Sequence, residues 1–160
     1  MELHKKFFQI AAHVAIHSLC LRDKCGSILV LNEDVIASGY NSPPGNHTDD
    51  RKCEYQFPLD RLKPKTDCTC CMHAEQRAIM HALKSGKDIR GSTLYFTRVD
   101  KDGEIEYSGD PYCTVCSRMA YDAGIAYWVL WHESGIKVYS AKEIYDLTYE
   151  FQKKSKGRHA

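Results

Sequence analysis

A chain of 160 residues, 43% of them hydrophobic and 27% charged, is long enough to bury one substantial core and has the composition of an ordinary globular protein. With 22 Lys and Arg against 21 Asp and Glu the formal net charge is +1, which excludes a general electrostatic pull toward nucleic acid or anionic membrane while leaving room for a local basic groove. No apolar run reaches the roughly 18 residues of a membrane span, and the start Met1-Glu2-Leu3-His4-Lys5-Lys6 leads into a patterned helix rather than a secretory apolar core, so a cytoplasmic protein is expected.

Leu3, Phe7, Ile10 and Val14 recur at helical steps between polar residues, which predicts an amphipathic helix over residues 2–19. A β-rich run at 27–31, the turn Asn32-Glu33-Asp34 and a second run at 35–40 predict a hairpin. From Asn41 to Cys70 there is no periodicity, and Asn41-Ser42-Pro43-Pro44-Gly45-Asn46 is dense in turn formers. A loop of that length inside a compact domain is usually functional or tied down. Residues 73–84 are strong helix formers whose buried stripe is expected to be Ala74, Ala78, Ile79, Ala82 and Leu83. A strand follows at 93–97, then an inserted hairpin over 98–110, a helix from Cys113 to Ala123 closed by Gly124, and strands at 126–131 and 136–139. Ser140-Ala141-Lys142-Glu143 has capping-box spacing and starts the last helix. Alternating strands and helices imply one α/β domain over 1–152, a mixed sheet covered on both faces, with 153–160 as a flexible basic tail.

Eight cysteines without a secretory leader point to metal binding rather than to a disulfide framework. His73, Cys113 and Cys116 offer one imidazole and two thiolates, which hold Zn²⁺ with the fourth position left to water. Both groups stand at helix starts, where the positive end of the helix favours thiolate and carboxylate. Glu75, two residues past the histidine, is placed to handle protons beside that water. A Cys-x-x-Cys pair alone would also suit structural zinc or redox chemistry, but neither of those requires the His-x-Glu partner.

His73-Ala74-Glu75 answered by Pro111-Tyr112-Cys113-x-x-Cys116 resembles the signature of the zinc nucleobase deaminases. Ser18-Leu19-Cys20-Leu21-Arg22, Gly39-Tyr40-Asn41-Ser42-Pro43 and Leu94-Tyr95-Phe96-Thr97 extend the likeness over residues 3–139, to the cytidine/deoxycytidylate deaminase superfamily and most closely its dCMP deaminase branch. The resemblance implies a three-layer α/β/α sandwich around a mixed five-stranded sheet, with zinc on His73, Cys113 and Cys116. Zinc-bound hydroxide would attack C4 of the cytosine ring of a small-molecule nucleotide, dCMP becoming dUMP and ammonia, while Glu75 shuttles protons. Asn41, Ser42, Ala74, Arg77 and Trp131 become candidate substrate contacts, and relatives of this kind often form homo-oligomers. Three features depart from the family pattern. Tyr112 separates Pro111 from Cys113, fourteen positions separate Thr97 from Pro111, and Arg77 stands where an asparagine is usual.

Some members of that branch carry a structural zinc, and Cys20, Cys53 and Cys71 fall at its ligand positions. Cys68 would complete a closed four-thiolate site, with Cys70 or His47 as alternatives for one ligand, and would pin the 41–70 loop to the first helix. Competing functions are an editing deaminase on single-stranded DNA or RNA, a deaminase of another heterocycle such as guanine or a pterin, and a noncatalytic zinc scaffold. The first needs a basic aromatic groove; the last has no use for Glu75.

Overall fold

Helix α1 (Glu2–Ala15) forms where Phe7, Phe8, Ala11, Ala12 and Ala15 share one face, and that face is buried. The computed structural model describes residues 1–53 and 70–157. The helix stops short of the expected residue 19 because the His17 and Ser18 amides bond back to the Val14 and Ala15 carbonyls in a tighter turn. Strands β1 (Lys24–Leu31) and β2 (Asp34–Tyr40) then form the expected hairpin. Its two-residue turn places Asn32 at φ 52° and Glu33 at φ 67°, the left-handed pair that matches the twist of the flanking strands.

After the loop come α2 (Ala74–Lys84), β3 (Thr93–Val99), the two-residue β4 (Ile105–Glu106), α3 (Thr114–Asp122), β5 (Tyr127–His132), β6 (Gly135–Ser140) and α4 (Ala141–Gly157). The sheet runs β2-β1-β3-β5-β6, with β4 added on β3 as a short sixth strand. The β3–β5 pair is parallel and the rest are antiparallel, so the sheet is mixed as expected. Along β3 the register divides its edge: β5 pairs with residues 93–95, and β4 pairs with Arg98 and Val99. The inserted hairpin therefore lengthens the sheet beyond the point where β5 leaves it.

Strand alternation distributes the core. Ile28, Val30, Tyr95 and Val129 meet Phe7 and Phe8 of α1 on one face. Leu29, Leu94, Trp128 and Leu130 meet Ala78, Ile79, Ala120 and Ile144 of the other three helices on the opposite face. This is the three-layer α/β/α sandwich. Two glycines set the layer spacing. A Cβ on Gly26 would lie 2.1 Å from the Ala11 carbonyl oxygen, and one on Gly39 would lie 2.4 Å from the Ala78 nitrogen, so each helix backbone rests directly on a strand.

In α2 the buried residues are Ala74, Glu75, Ala78, Ile79 and Ala82, whereas Leu83 is exposed. Four of the five residues of the expected apolar stripe are buried; the exception is Leu83, and the carboxylate of Glu75 is buried in the first turn instead. Helix α4 opens on the expected box, with the Glu143 amide donating to Ser140 Oγ (3.1 Å) and the Ser140 amide to Glu143 Oε2 (2.6 Å). It runs to Gly157, taking in the first residues of the segment expected as a basic tail. Among the described residues no helix is long and apolar enough to cross a membrane.

Candidate active site

Two helix starts meet beside the C-terminal end of β3. His73 is the N-cap residue of α2, its amide donating to the Gln76 side chain at 3.0 Å, and Cys113 is the N-cap residue of α3, its sulfur accepting the Cys116 amide at 3.3 Å. These caps fix the backbone on which the three candidate ligands stand. His73 Nδ1 lies 3.1 Å from Cys116 Sγ and 3.3 Å from Cys113 Sγ. Tetrahedral zinc with ordinary Zn–N and Zn–S bonds separates such atoms by roughly 3.5 Å, so the imidazole and two sulfurs suit one ion with little movement. Among the described residues, they form the group of metal-ligating side chains whose donor atoms all lie within 4.8 Å of one another.

Their protonation is already polarised. The Cys116 thiol and the His73 ring hydrogen-bond the Cys113 sulfur and pull its pKa down to about 5, while burial pushes Cys116 up. Glu75 is buried, at 6% exposure, and burial, reinforced by the nearby Cys113, pushes its carboxyl up to about 7, against a smaller opposing pull from His73. A carboxyl that holds and releases a proton near neutrality beside a metal-ligand set is suited to general acid–base chemistry.

Above this floor opens a cavity of about 280 Å³. His73, Ala74, Glu75 and Cys113 line its base, residues 106–112 form one wall, and Phe96, Arg98, Trp128 and Leu130 project from the sheet. The 106–112 wall is braced from outside. The Ser108 amide donates to the Trp131 carbonyl (2.7 Å), Ser108 O pairs with His132 Nδ1 (2.8 Å), and Gln152 donates to the Tyr112 carbonyl (2.8 Å).

The substrate contacts expected from the sequence divide. Ala74 and Asn41 line the cavity. The Asn41 amide is engaged at both ends: Oδ1 accepts from Ser18 Oγ (2.6 Å) and the Cys25 amide (2.8 Å), and Nδ2 donates to the Asp23 carbonyl (2.7 Å). Ser42 is wholly buried outside the lining, its backbone pairing with Met72 to seat the loop against the start of α2. Arg77 also lies outside the lining, donating to the Ser42 and Pro43 carbonyls at 3.2 and 3.1 Å. Trp131 faces the opposite layer, its ring 5.4 Å from Phe8. The strand period explains that last correction, because Trp128 and Leu130 take the cavity face and Trp131 must take the other. Arg98, Phe96, Trp128 and Tyr112 were not anticipated. Alternation from Leu94 would have grouped Phe96 with Arg98, but nothing in the sequence told which face held the cavity.

At the rim the Cys53 and Cys70 sulfurs are 3.8 Å apart, as are those of Cys70 and Cys71, and Cys20 hydrogen-bonds Cys71. Among the described residues, none of the seven cysteines forms a disulfide. Cys68, expected as the fourth ligand of a structural zinc, lies outside the described residues.

Residues 1–132 match the family described as the cytidine and deoxycytidylate deaminase zinc-binding region. The chain is 31% identical over 125 residues to a deoxycytidylate deaminase of Mycobacterium phage D29, a match that covers 74% of this chain and 86% of that protein. Its structure resembles the dCMP deaminase of cyanophage S-TIM5, crystallised with dCMP and dUMP, at TM-score 0.52 and 27% identity over 78% of this chain and 76% of that one. A cytidine deaminase from Burkholderia pseudomallei shares the fold at TM-score 0.59 and 18% identity, covering 88% of this chain and 94% of that one.

Proposed function

Because the chain belongs to the cytidine and deoxycytidylate deaminase family and is a zinc-dependent hydrolytic deaminase, we propose that it removes the exocyclic amine of a cytosine nucleotide, with dCMP as the substrate. The observation that carries the reading is a buried Glu75 set beside His73, Cys113 and Cys116 at the base of a cavity sized for a small molecule. The nitrogen and two sulfurs match the donor set and spacing zinc takes in catalytic sites, so these three residues are assigned as its ligands. Zinc bound there supplies a water that ionises near neutral pH.

The protein's part is positioning and proton transfer. Ala74 and Phe96 shape the space for the flat base, and residues 106–112 restrict bulk water on one side. Glu75 donates its proton to ring N3 as C4 gains the water oxygen, then takes up the proton released from that oxygen and passes it to the departing nitrogen. Water and the cytosine ring enter, and uracil and ammonia leave. The relative crystallised with dCMP and dUMP supports the substrate choice. Besides Glu75 the cavity has three carboxylates, Asp23, Glu106 and Asp110, against two arginines, Arg22 and Arg98, so it is no basic groove, which disfavours a polyanionic strand and so the editing alternative.

A second zinc belongs to this reading. Cys20, Cys53 and Cys71 are three ligands, and Cys70, 3.8 Å from both Cys53 and Cys71, is a candidate for the fourth beside Cys68. Such a closed thiolate site ties the long loop to the cavity rim.

The test is bound zinc in the purified protein, followed by ammonia release from dCMP, CMP, deoxycytidine, guanine and a single-stranded oligonucleotide. Turnover of dCMP above the others supports the proposal; turnover confined to guanine or the oligonucleotide removes it.

A further inference from the structure

The cytosine-nucleotide reading requires a group for the phosphate, and Arg77, one of the substrate contacts expected from the sequence, lies outside the cavity lining and donates through Nη2 to two loop carbonyls. Another arginine stands in the cavity. Leu94, Phe96 and Arg98 alternate onto one face of β3, the face that carries α2 and α3, and Phe96 and Arg98 both line the cavity. Arg98 lies across the ladder from Cys25 on β1 and from Glu106 on β4, so the inserted hairpin holds its strand in register on one side and β1 on the other. Its side chain is 37% exposed, with the head in reach of the cavity.

Arg98 hydrogen-bonds the Cys25 side chain but is incompletely satisfied. Its Nε is buried without a hydrogen-bond partner, and the nearest carboxylate oxygen, Asp23 Oδ1, is 4.0 Å away, beyond hydrogen-bond distance. A buried guanidinium donor without a partner is costly unless a ligand acceptor completes it. Cys25 and Tyr112 each lie within electrostatic reach of both Arg98 and Glu75. Arg98 and Glu75 line the same cavity, so one nucleotide can meet the first with its phosphate and the second with its base.

We propose that Arg98 is a specificity-determining residue that binds the single phosphate of a nucleoside monophosphate. The guanidinium meets two phosphate oxygens with paired N–H donors, completing Nε and fixing the sugar end while the base lies over Glu75. Asp23 and Glu106 flank that position and Asp110 lines the same cavity, and these carboxylates oppose any further phosphate, so the site takes a monophosphate and rejects the triphosphate.

The proposal rests on the cytosine-nucleotide reading, and the experiment separates the two. The kcat/KM values for dCMP, deoxycytidine and dCTP are measured for the zinc-loaded wild type, Arg98→Met and Arg98→Lys, with zinc content as a folding check. The dCMP-to-deoxycytidine ratio is expected to fall roughly 10- to 100-fold in Arg98→Met, through KM on dCMP, and to recover in part in Arg98→Lys, which keeps the charge without the fork. Wild type is expected to prefer dCMP to dCTP. If Arg98→Met fails to fold, Arg98→Lys decides: a reduced ratio supports the assignment and an unchanged one overturns it. Equal losses on dCMP and deoxycytidine, or a ratio indifferent to Arg98, remove the phosphate site and leave the deaminase intact. Turnover of no cytosine compound removes both.

Discussion

Two groups of cysteines sit within one cavity and are built in opposite ways. Cys113 and Cys116 occupy the cap and first turn of a regular helix, meet His73 at 3.1–3.3 Å, and include a fully buried sulfur. Cys20, Cys53, Cys70 and Cys71 stand on loops at the rim, part exposed, with sulfur contacts of 3.8 Å. The first group is preorganised by backbone hydrogen bonds that exist whether or not metal is present. The second is held by loop contacts, Arg51 on the Leu19 carbonyl, the Cys20 amide on Ser18 Oγ and the Ser42–Met72 bridge, rather than by helix caps, so a metal there would reinforce a looser frame. A catalytic centre needs the former arrangement and a structural clasp tolerates the latter.

Breaking the first group should have the largest effect. Glu75→Ala is expected to lower kcat on the preferred substrate by at least about 10²–10⁴-fold while zinc content stays near the wild-type value, measured by single-turnover kinetics and metal analysis. Retained activity would mean the proton carrier is another group. Gly39→Ala tests how the site is seated. Its methyl would overlap the Ala78 nitrogen and the Ala74 carbonyl of α2, so stability should fall by more than about 3 kcal/mol in urea unfolding. A smaller loss would show that α2 slides easily over the sheet and that the site is less rigid than drawn.

The second group is sharpened by stoichiometry. Two zinc ions per chain dropping to one in Cys53→Ser, with a lower melting temperature and residual deamination, would establish the rim clasp, and a parallel Cys68→Ser and Cys70→Ser pair would name its fourth ligand. A single zinc unaffected by Cys53→Ser would dismiss it. Arg77→Ala probes the link between the loop and α2, and should cost about 0.5–1.5 kcal/mol, because the Ser42 and Pro43 carbonyls lose the guanidinium but keep the Met72 and Asn46 amides as donors. It should leave substrate preference unchanged, in contrast to Arg98→Met.

The smallest effect lies outside both groups. Arg90 beside Asp88 holds that carboxyl down at about 2, below its ordinary 3.8. A depressed carboxylate stabilises the fold above the ordinary value, so its contribution is present above pH 4 and is lost as pH falls toward 2. Because the pair is fully exposed, Asp88→Asn should alter the acid limb of a stability–pH profile only slightly and less so in high salt.

Local pattern determined a good deal of this protein. Period and capping residues placed the helices and strands within a few residues, and the His-x-Glu and Cys-x-x-Cys spacings identified the side chains that meet at the two helix starts. Those features are local because a cap and its first turn lie within four residues of sequence. Three things were decided only in three dimensions. Glu75 is buried because α2 rotates its first turn onto the sheet at Gly39, a contact that a helical stripe of alanines leaves ambiguous against Leu83. Trp128 rather than Trp131 faces the cavity because the parallel register of β5 on β3 chooses the face, and a one-residue change of register would reverse it. Arg98 rather than Arg77 is available to a ligand because the loop carbonyls that occupy Arg77 come from residues more than thirty positions away. Which polar group is satisfied depends on who its distant neighbours are, and that is a property of the packed sheet and its loops rather than of any stretch of chain.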